Sequence, residues 1–327
     1  MSGPQVAWLA DARRLHLNHG PIDLIVEAFG HEAERRAAYD QAIARFQTVL
    51  PELVEELSEL RRPATATPRA FRGTIAQRME RVVCRHAPVF ITPMATVAGA
   101  VAEEILGAMC AGRRLEKAYV NDGGDIALYL GESQTIRAAI AGTFHGLADR
   151  IVIRAADPVR GIATSGWRGR SHSLGIADAV TVLARTAAEA DAAATLIANA
   201  VDLPGHPSIT RAPAASLQPD SDLGDTPVTV DVGPLTAAEI ATALDRGLGV
   251  AEELRRRGLI EAAALFLGGE MRLSGRVLSE QLSSDVTPLC PAGHLPLKGG
   301  DSPSSATSPN LNDSRNAPEM KLLISPP

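Results

Sequence analysis

Aromatic side chains are scarce in this 327-residue chain, at 3% of the sequence. That leaves too few rings for the stacking platforms that hold single-stranded nucleic acid, and it obliges the core to be built from Ala, Val, Leu and Ile. No long basic stretch occurs and the formal net charge is -6, so nucleic acid is not an expected partner. Cysteine is limited to Cys84, Cys110 and Cys290, none of them in a CxxC pair. The pattern is that of small buried hydrophobes in a reducing compartment. No segment approaches 18 uninterrupted apolar residues, and no membrane span is expected. The opening MSGPQVAWLADARR has neither the basic start nor the apolar run of a signal peptide, so the expected location is cytoplasmic.

What remains is ordinary globular material, 45% hydrophobic and 21% charged, enough for one large domain or two smaller ones. Alternation on both sides of Asn18-His19-Gly20-Pro21 predicts a strand pair within residues 5–29. Helical spacing runs from Glu32 to Leu60, with Pro51 expected to start a second helix or kink the first. RRPATATPRAF (61–71) reads as a linker. A helix is predicted over Thr74–Cys84, then a Pro-bounded strand PVFI (88–91), then a helix from Thr96 rich in small residues. The runs TIRAAIAG, RIVIRA, RGIATSG and DAVTVLA read as strands of one central sheet. A helix over 187–201 follows, with Thr186 and Glu189 as a capping box. Further on, LTAAEIATALDRGLGVAEELRRRGLIEAAALFLGGEMRL reads as one or two helices ending in an apolar strand. From about residue 275 a Ser/Pro/Asn/Gly-rich segment without periodicity is expected to be a disordered, low-complexity tail, 275–327.

Three clusters place polar groups inside apolar surroundings. In PMATVAGAVAEE, the helix start offers free N–H groups to an anion, or simply packs tightly against a neighbour. In YVNDGGDIALYL, Gly123-Gly124 permits a tight turn, or exposes backbone N–H groups to a ligand with Asn121 and Asp125 as its rim. In the third, Asp191 and Thr195 stand at i and i+4 on one helix face, where a carboxylate and a hydroxyl can serve Mg²⁺. The alternative there is a polar outer face. The Ala-rich surroundings are expected to leave room for a bulky ligand. Thr164-Ser165-Gly166, with Arg168 and Arg170, reads as a phosphate site or a solvated loop.

The ordered set PMATVAGAVAEE, NDGGDI, GIATSG, HSLG.ADAVTVLA and ADAAAT resembles the flavin transferases of the ApbE superfamily, and more closely its UPF0280 branch. The resemblance covers most of residues 10 to 273. It implies an α+β, T-fold-like arrangement of layered mixed sheets with packed helices over 1–274, in one domain or two sub-domains divided near 62–72. It also implies FAD in a cleft, Mg²⁺ on the pyrophosphate and FMN transfer to a threonine of an acceptor protein. By the same resemblance Met94, Ala95 and Thr96 lie near the nucleotide. Gly123, Gly124 and Asp125 stand at its cleft, where Asn121, Thr164, Ser165 and Gly166 from the readings above join as candidate nucleotide contacts, and Asp191 and Thr195 are the candidate metal ligands. His172, Asp178 and Asp125 are the candidate catalytic groups. One departure stands out: RSHSLGIADAV supplies His172 but not the Pro-x-Thr-Gly loop that accompanies the superfamily's histidine. A non-catalytic nucleotide- or metabolite-binding module is therefore the alternative function.

Overall fold

The computed structural model describes residues 3–139 and 150–275; apart from Gly275, the segment expected to be a disordered tail lies outside the described residues. Nine antiparallel strands form the main sheet. In chain order they are β1 (Gln5–Trp8), β2 (Leu15–His19), β3 (Ile22–Phe29), β4 (Lys117–Asp122), β5 (Asp125–Leu130), β8 (Gly161–Ser165), β9 (Ala179–Ala184), β12 (Ala262–Leu267) and β13 (Glu270–Ser274), and their order in space is the same. The predicted strand pair of residues 5–29 is thus three strands, with β2 and β3 joined through Gly20-Pro21. Two further antiparallel pairs stand apart: β6 (Thr135–Ala139) with β7 (Arg150–Arg154), and β10 (Ile209–Pro213) with β11 (Pro227–Val232). Two of the four runs expected in the central sheet, TIRAA and RIVIR, therefore belong to the β6–β7 ribbon instead. Their buried Ile136, Ile151 and Ile153 cover the second face of the main sheet against Tyr119, Ile126 and Ile162.

The first face is covered by four helices in a row: α1 (Glu32–Glu55), α4 (Val97–Cys110), α5 (Ala187–Ala200) and α7 (Ala237–Arg256). The shorter α2 (Leu57–Leu60) and α3 (Thr74–Cys84) flank them, and α6 (Ala214–Leu217) sits between β10 and β11. This is the expected α+β architecture of sheet and packed helices. Pro51 lies inside α1, and the break comes later, at Glu56. Residues before and after 62–72 share one core, in which Phe46, Phe71, Ile75 and Ile105 are all buried. The 18-residue stretch Pro93–Cys110, a 3-10 turn leading into α4, is long and apolar enough to cross a membrane by length and composition. Half of it is buried, against α1, α5, β4 and β5, as in a core helix.

No strand forms at PVFI (88–91). The run is apolar, but it follows turns at 85–88 and stays irregular. Helix α5 starts as predicted, although its capping box is half made: the Thr186 hydroxyl accepts the Glu189 N–H, while the Glu189 carboxylate pairs with Arg85. Its alanines do not make room for a ligand. Ala187, Ala188, Ala190, Ala192, Ala193, Ala194 and Ala198 are buried, and they let backbones approach closely. A Cβ on Gly99 of α4 would stand 2.4 Å from the Ala187 carbonyl oxygen, and one on Gly161 of β8 would stand 2.1 Å from that of Thr186.

Candidate functional site

The stretch YVNDGGDIALYL is the β4–β5 hairpin, with Asp122 paired to Asp125 across Gly123-Gly124. Both glycines have positive φ, 61° and 114°, which a two-residue hairpin turn of this hand requires. The Asn121 side-chain oxygen accepts the Gly124 N–H at 2.9 Å and so closes the turn from inside. Asn121, Gly123 and Gly124 shape the hairpin and do not line the cleft beside it. Asp125, the first residue of β5, does.

That cleft has a volume of about 340 Å³. Helix α5 contributes Asp191, Thr195 and Asn199, spaced i, i+4 and i+8, so that one helix face turns its polar groups inward. Asp125 and Ser165 come from β5 and β8, and Arg170 and His172 from the loop before β9. Met94, Ala95, Val97 and Ala98, from the 3-10 turn and the start of α4, form an apolar wall. The segment Gln218–Leu223 closes the far side, tied down where the Thr92 hydroxyl donates to the Asp222 carboxylate. Residues far apart in sequence thus meet at one place: Met94, Ala95, Asp125, Ser165, His172, Asp191 and Thr195 all line it.

Other expected residues serve the site from behind or stand elsewhere. Thr96 is fully buried and its hydroxyl donates to the Pro93 carbonyl at 2.8 Å. The Thr164 N–H donates to Asp125 at 3.3 Å, and its hydroxyl meets that of Thr181 at 2.9 Å. Gly166 passes close under the Asp178 carbonyl. Asp178 does not line the cleft. Its carboxylate accepts the Gly268 N–H at 2.8 Å and faces Arg168, which stacks over Trp167. The loop cation that reaches the cleft is Arg170.

The helix start in PMATVAGAVAEE does meet an anion, but one from the protein itself. The Gly99 N–H donates to the Asp191 carboxylate at 3.1 Å, and in return the Ala188 N–H at the start of α5 donates to Glu103 of α4 at 2.7 Å. Each helix caps the other. This reciprocal contact fixes Asp191, and with it the orientation of the α5 face that carries Thr195.

Three carboxyls act on one another here: Asp125 and Asp191 line the cleft, and Asp122, at the hairpin turn, does not. Burial first, and then the charge of Asp191, pushes Asp125 well above the usual carboxylate range, against the Thr164 N–H. Burial also raises Asp191, opposed by the Gly99 N–H and reinforced by Asp122. Asp122, only 7% exposed, is raised by burial and then by Asp125, while Arg170 pulls it down. Like charges crowded in a desolvated place favour protons or a cation. Among the described residues no group of three or more His, Cys, Asp or Glu side chains is arranged to hold a metal ion. Of the oxygen donors lining the cleft, Asp125, Asp191 and Thr195 are two carboxyls and one hydroxyl contributed by β5 and α5. Such a set fits Mg²⁺, which takes few protein oxygens and completes its shell with water and phosphate.

Sequence reasoning missed Asn199, Arg61, Phe90 and the Asp222 strap, all lining the cleft. Asn199 was within reach, being one helical turn beyond Thr195 on the same face. Nothing local marks the others.

Residues 6–273 match the family described as "AbpE bacteria". The chain is similar to a UPF0280 protein of Methanopyrus kandleri, 37% identical over 126 residues, covering 38% of this chain and 49% of that protein. It is likewise similar to a UPF0280 protein of Methanococcoides burtonii, 35% identical over 136 residues, covering 41% and 56%. The chain spans about half the length of the curated relatives it matches. Among solved structures, the apo flavinyl transferase ApbE of Pseudomonas stutzeri is similar with a TM-score of 0.42 and 12% identity, over 88% of this chain and 99% of that one.

Proposed function

The chain belongs to the AbpE family, and from that premise we propose that its cleft binds FAD with Mg²⁺ and cleaves the pyrophosphate, passing FMN to a hydroxyl of an acceptor protein. The observation that carries this reading is the meeting of Asp125, Asp191 and Thr195 with Arg170 and Arg61 in one cleft beside an apolar wall. A charged diphosphate joined to planar rings needs both kinds of surface.

Asp191 and Thr195 are the side chains to hold the metal, which when bound neutralises the pyrophosphate. Arg170 and Arg61 bind phosphate oxygens, and the strapped segment 218–223 walls the far side of the cleft. The acceptor oxygen forms a bond to the FMN phosphorus, the bond from that phosphorus to the AMP oxygen breaks, and AMP leaves with the electron pair. The acceptor's proton goes to a base in the cleft. His172 is the proposed base: its Nε2 is buried without a hydrogen-bond partner among the described residues, and Asp178 stands outside the cleft.

Incubation with FAD, Mg²⁺ and a threonine-bearing acceptor tests this reading, with flavin fluorescence followed in a denaturing gel and AMP by chromatography. Covalent flavin with equimolar AMP is expected. A specific feature favours a second reading, binding without transfer: the loop after His172 runs Ser-Leu-Gly and lacks Pro-x-Thr-Gly. FAD-induced stabilisation with no AMP would select that one. No FAD response at all overturns both.

A further inference from the structure

Phe90 is 46% exposed, and of the exposed large apolar side chains among the described residues it alone lines the cleft. A chain so poor in aromatics has placed one of its six phenylalanines in the wall of this cleft, half in water. The position is held firmly. The Val89 N–H donates to the His86 carbonyl at 3.0 Å, and the Ala64 N–H donates to the Ile91 carbonyl at 2.8 Å. Beyond these, Ile91 is buried and Thr92 is tied to Asp222. The ring therefore stands on a short anchored segment between a buried neighbour and a strap, beside the apolar wall that starts at Met94.

A volume of about 340 Å³ is near the small end for ligand sites, which run from about 300 to 1,000 Å³. In a dinucleotide the ring systems lie on either side of the diphosphate, so one of them reaches toward the Phe90 side of the cleft when the diphosphate is at Asp125 and Asp191. Planar rings there gain by offset stacking on an aromatic face, and the polarisable Met94 thioether lines the same cleft.

We infer that Phe90 is the stacking residue for a planar heteroaromatic ring of the bound nucleotide. This rests on the nucleotide reading of the cleft and adds to it the element that distinguishes a ring-bearing ligand from a bare diphosphate. The exposed ring also predicts that Phe90→Ala folds normally, which thermal unfolding checks directly.

Binding of FAD, FMN, ADP and inorganic pyrophosphate, each with Mg²⁺, is measured by calorimetry for wild type, F90A and F90Y. Expected are an FAD dissociation constant raised about 10-fold in F90A, near wild-type affinity in F90Y, and unchanged pyrophosphate binding in both. FMN and ADP identify which ring stacks, because only the ligand that carries it responds. Equal FAD affinity in wild type and F90A overturns the inference and leaves the FAD reading standing. Equal affinity together with impaired labelling of the acceptor assigns the ring to protein docking and overturns it too. If wild type ignores FAD but binds ADP, the FAD reading fails while the response of ADP to F90A still decides the role of Phe90. If wild type binds no ring-bearing ligand, both fail.

Discussion

Asp191 has two jobs that pull its charge in opposite directions. Its carboxylate accepts the Gly99 N–H, which needs only an oxygen, and it faces the charges of Asp122 and Asp125, which make a second negative group unwelcome. Substituting asparagine separates these effects, because it keeps the acceptor and removes the charge. Without added metal, Asp191→Asn is expected to be as stable as wild type or more stable by about 1 kcal/mol. Asp191→Ala strands a buried N–H and loses about 1–2 kcal/mol. Both variants lose the Mg²⁺-dependent part of any FAD-induced shift in thermal unfolding, the whole shift in wild type amounting to about 2.7 kcal/mol at a hundred times the dissociation constant. Equal destabilisation by the two substitutions would show that the charge itself holds α4 to α5. A retained Mg²⁺ response in Asp191→Asn would take this residue out of the metal site.

At the scale of elements, the crossing of α4 and α5 sets the shape of the cleft, and two glycines of the same helix report on it. A methyl group on Gly99 would press on the backbone carbonyl of Ala187, which cannot rotate away, whereas one on Gly107 meets nothing within 4 Å. Gly99→Ala is expected to lose about 2–3 kcal/mol by overpacking and to weaken FAD binding, because α5 carries Asp191 and Thr195. Gly107→Ala is expected to gain up to about 1 kcal/mol from helix propensity alone. Urea unfolding of the two variants distinguishes them cleanly. The same crossing marks how far the sequence could be read. Periodicity and the Thr186 cap located α5, and i to i+4 spacing put Asp191 and Thr195 on one face. The purpose of the intervening alanines was not legible, since close packing and ligand room call for the same small side chains. PVFI read as a strand because its composition favours one, yet no neighbouring edge receives it. The TIRAA and RIVIR runs have strand chemistry but carry no mark of which sheet they join. The Thr92–Asp222 strap joins residues 130 positions apart, and no local pattern encodes such a contact.

For the molecule as a whole, buried titratable groups set opposing limits on stability across pH. His86, only 3% exposed, has its imidazole pushed down to about 4 by burial, and then by the charges of Arg257 and Arg85. The unfolded chain binds that proton from about pH 6.5 downward while the folded one refuses it, so stability is lost as pH falls from about 6.5 to about 4. The full effect is about 3 kcal/mol at the lower end. The carboxyls of Asp122, Asp125 and Asp191 act in the other direction: raised in the folded state, they hold protons that the unfolded chain has released, and stability falls as pH climbs above 3.8 toward their folded values. In the metal-free protein the two effects therefore oppose each other between about pH 4 and about pH 6.5. His86→Gln, which cannot be protonated in either state, isolates the acid arm. The stability difference between wild type and this variant should shift by about 3 kcal/mol in favour of the variant between pH 7 and pH 4, as measured by chemical unfolding at fixed ionic strength. A difference that stays constant across that range would mean that His86 is protonated in the fold, and the acid sensitivity would then belong to other groups.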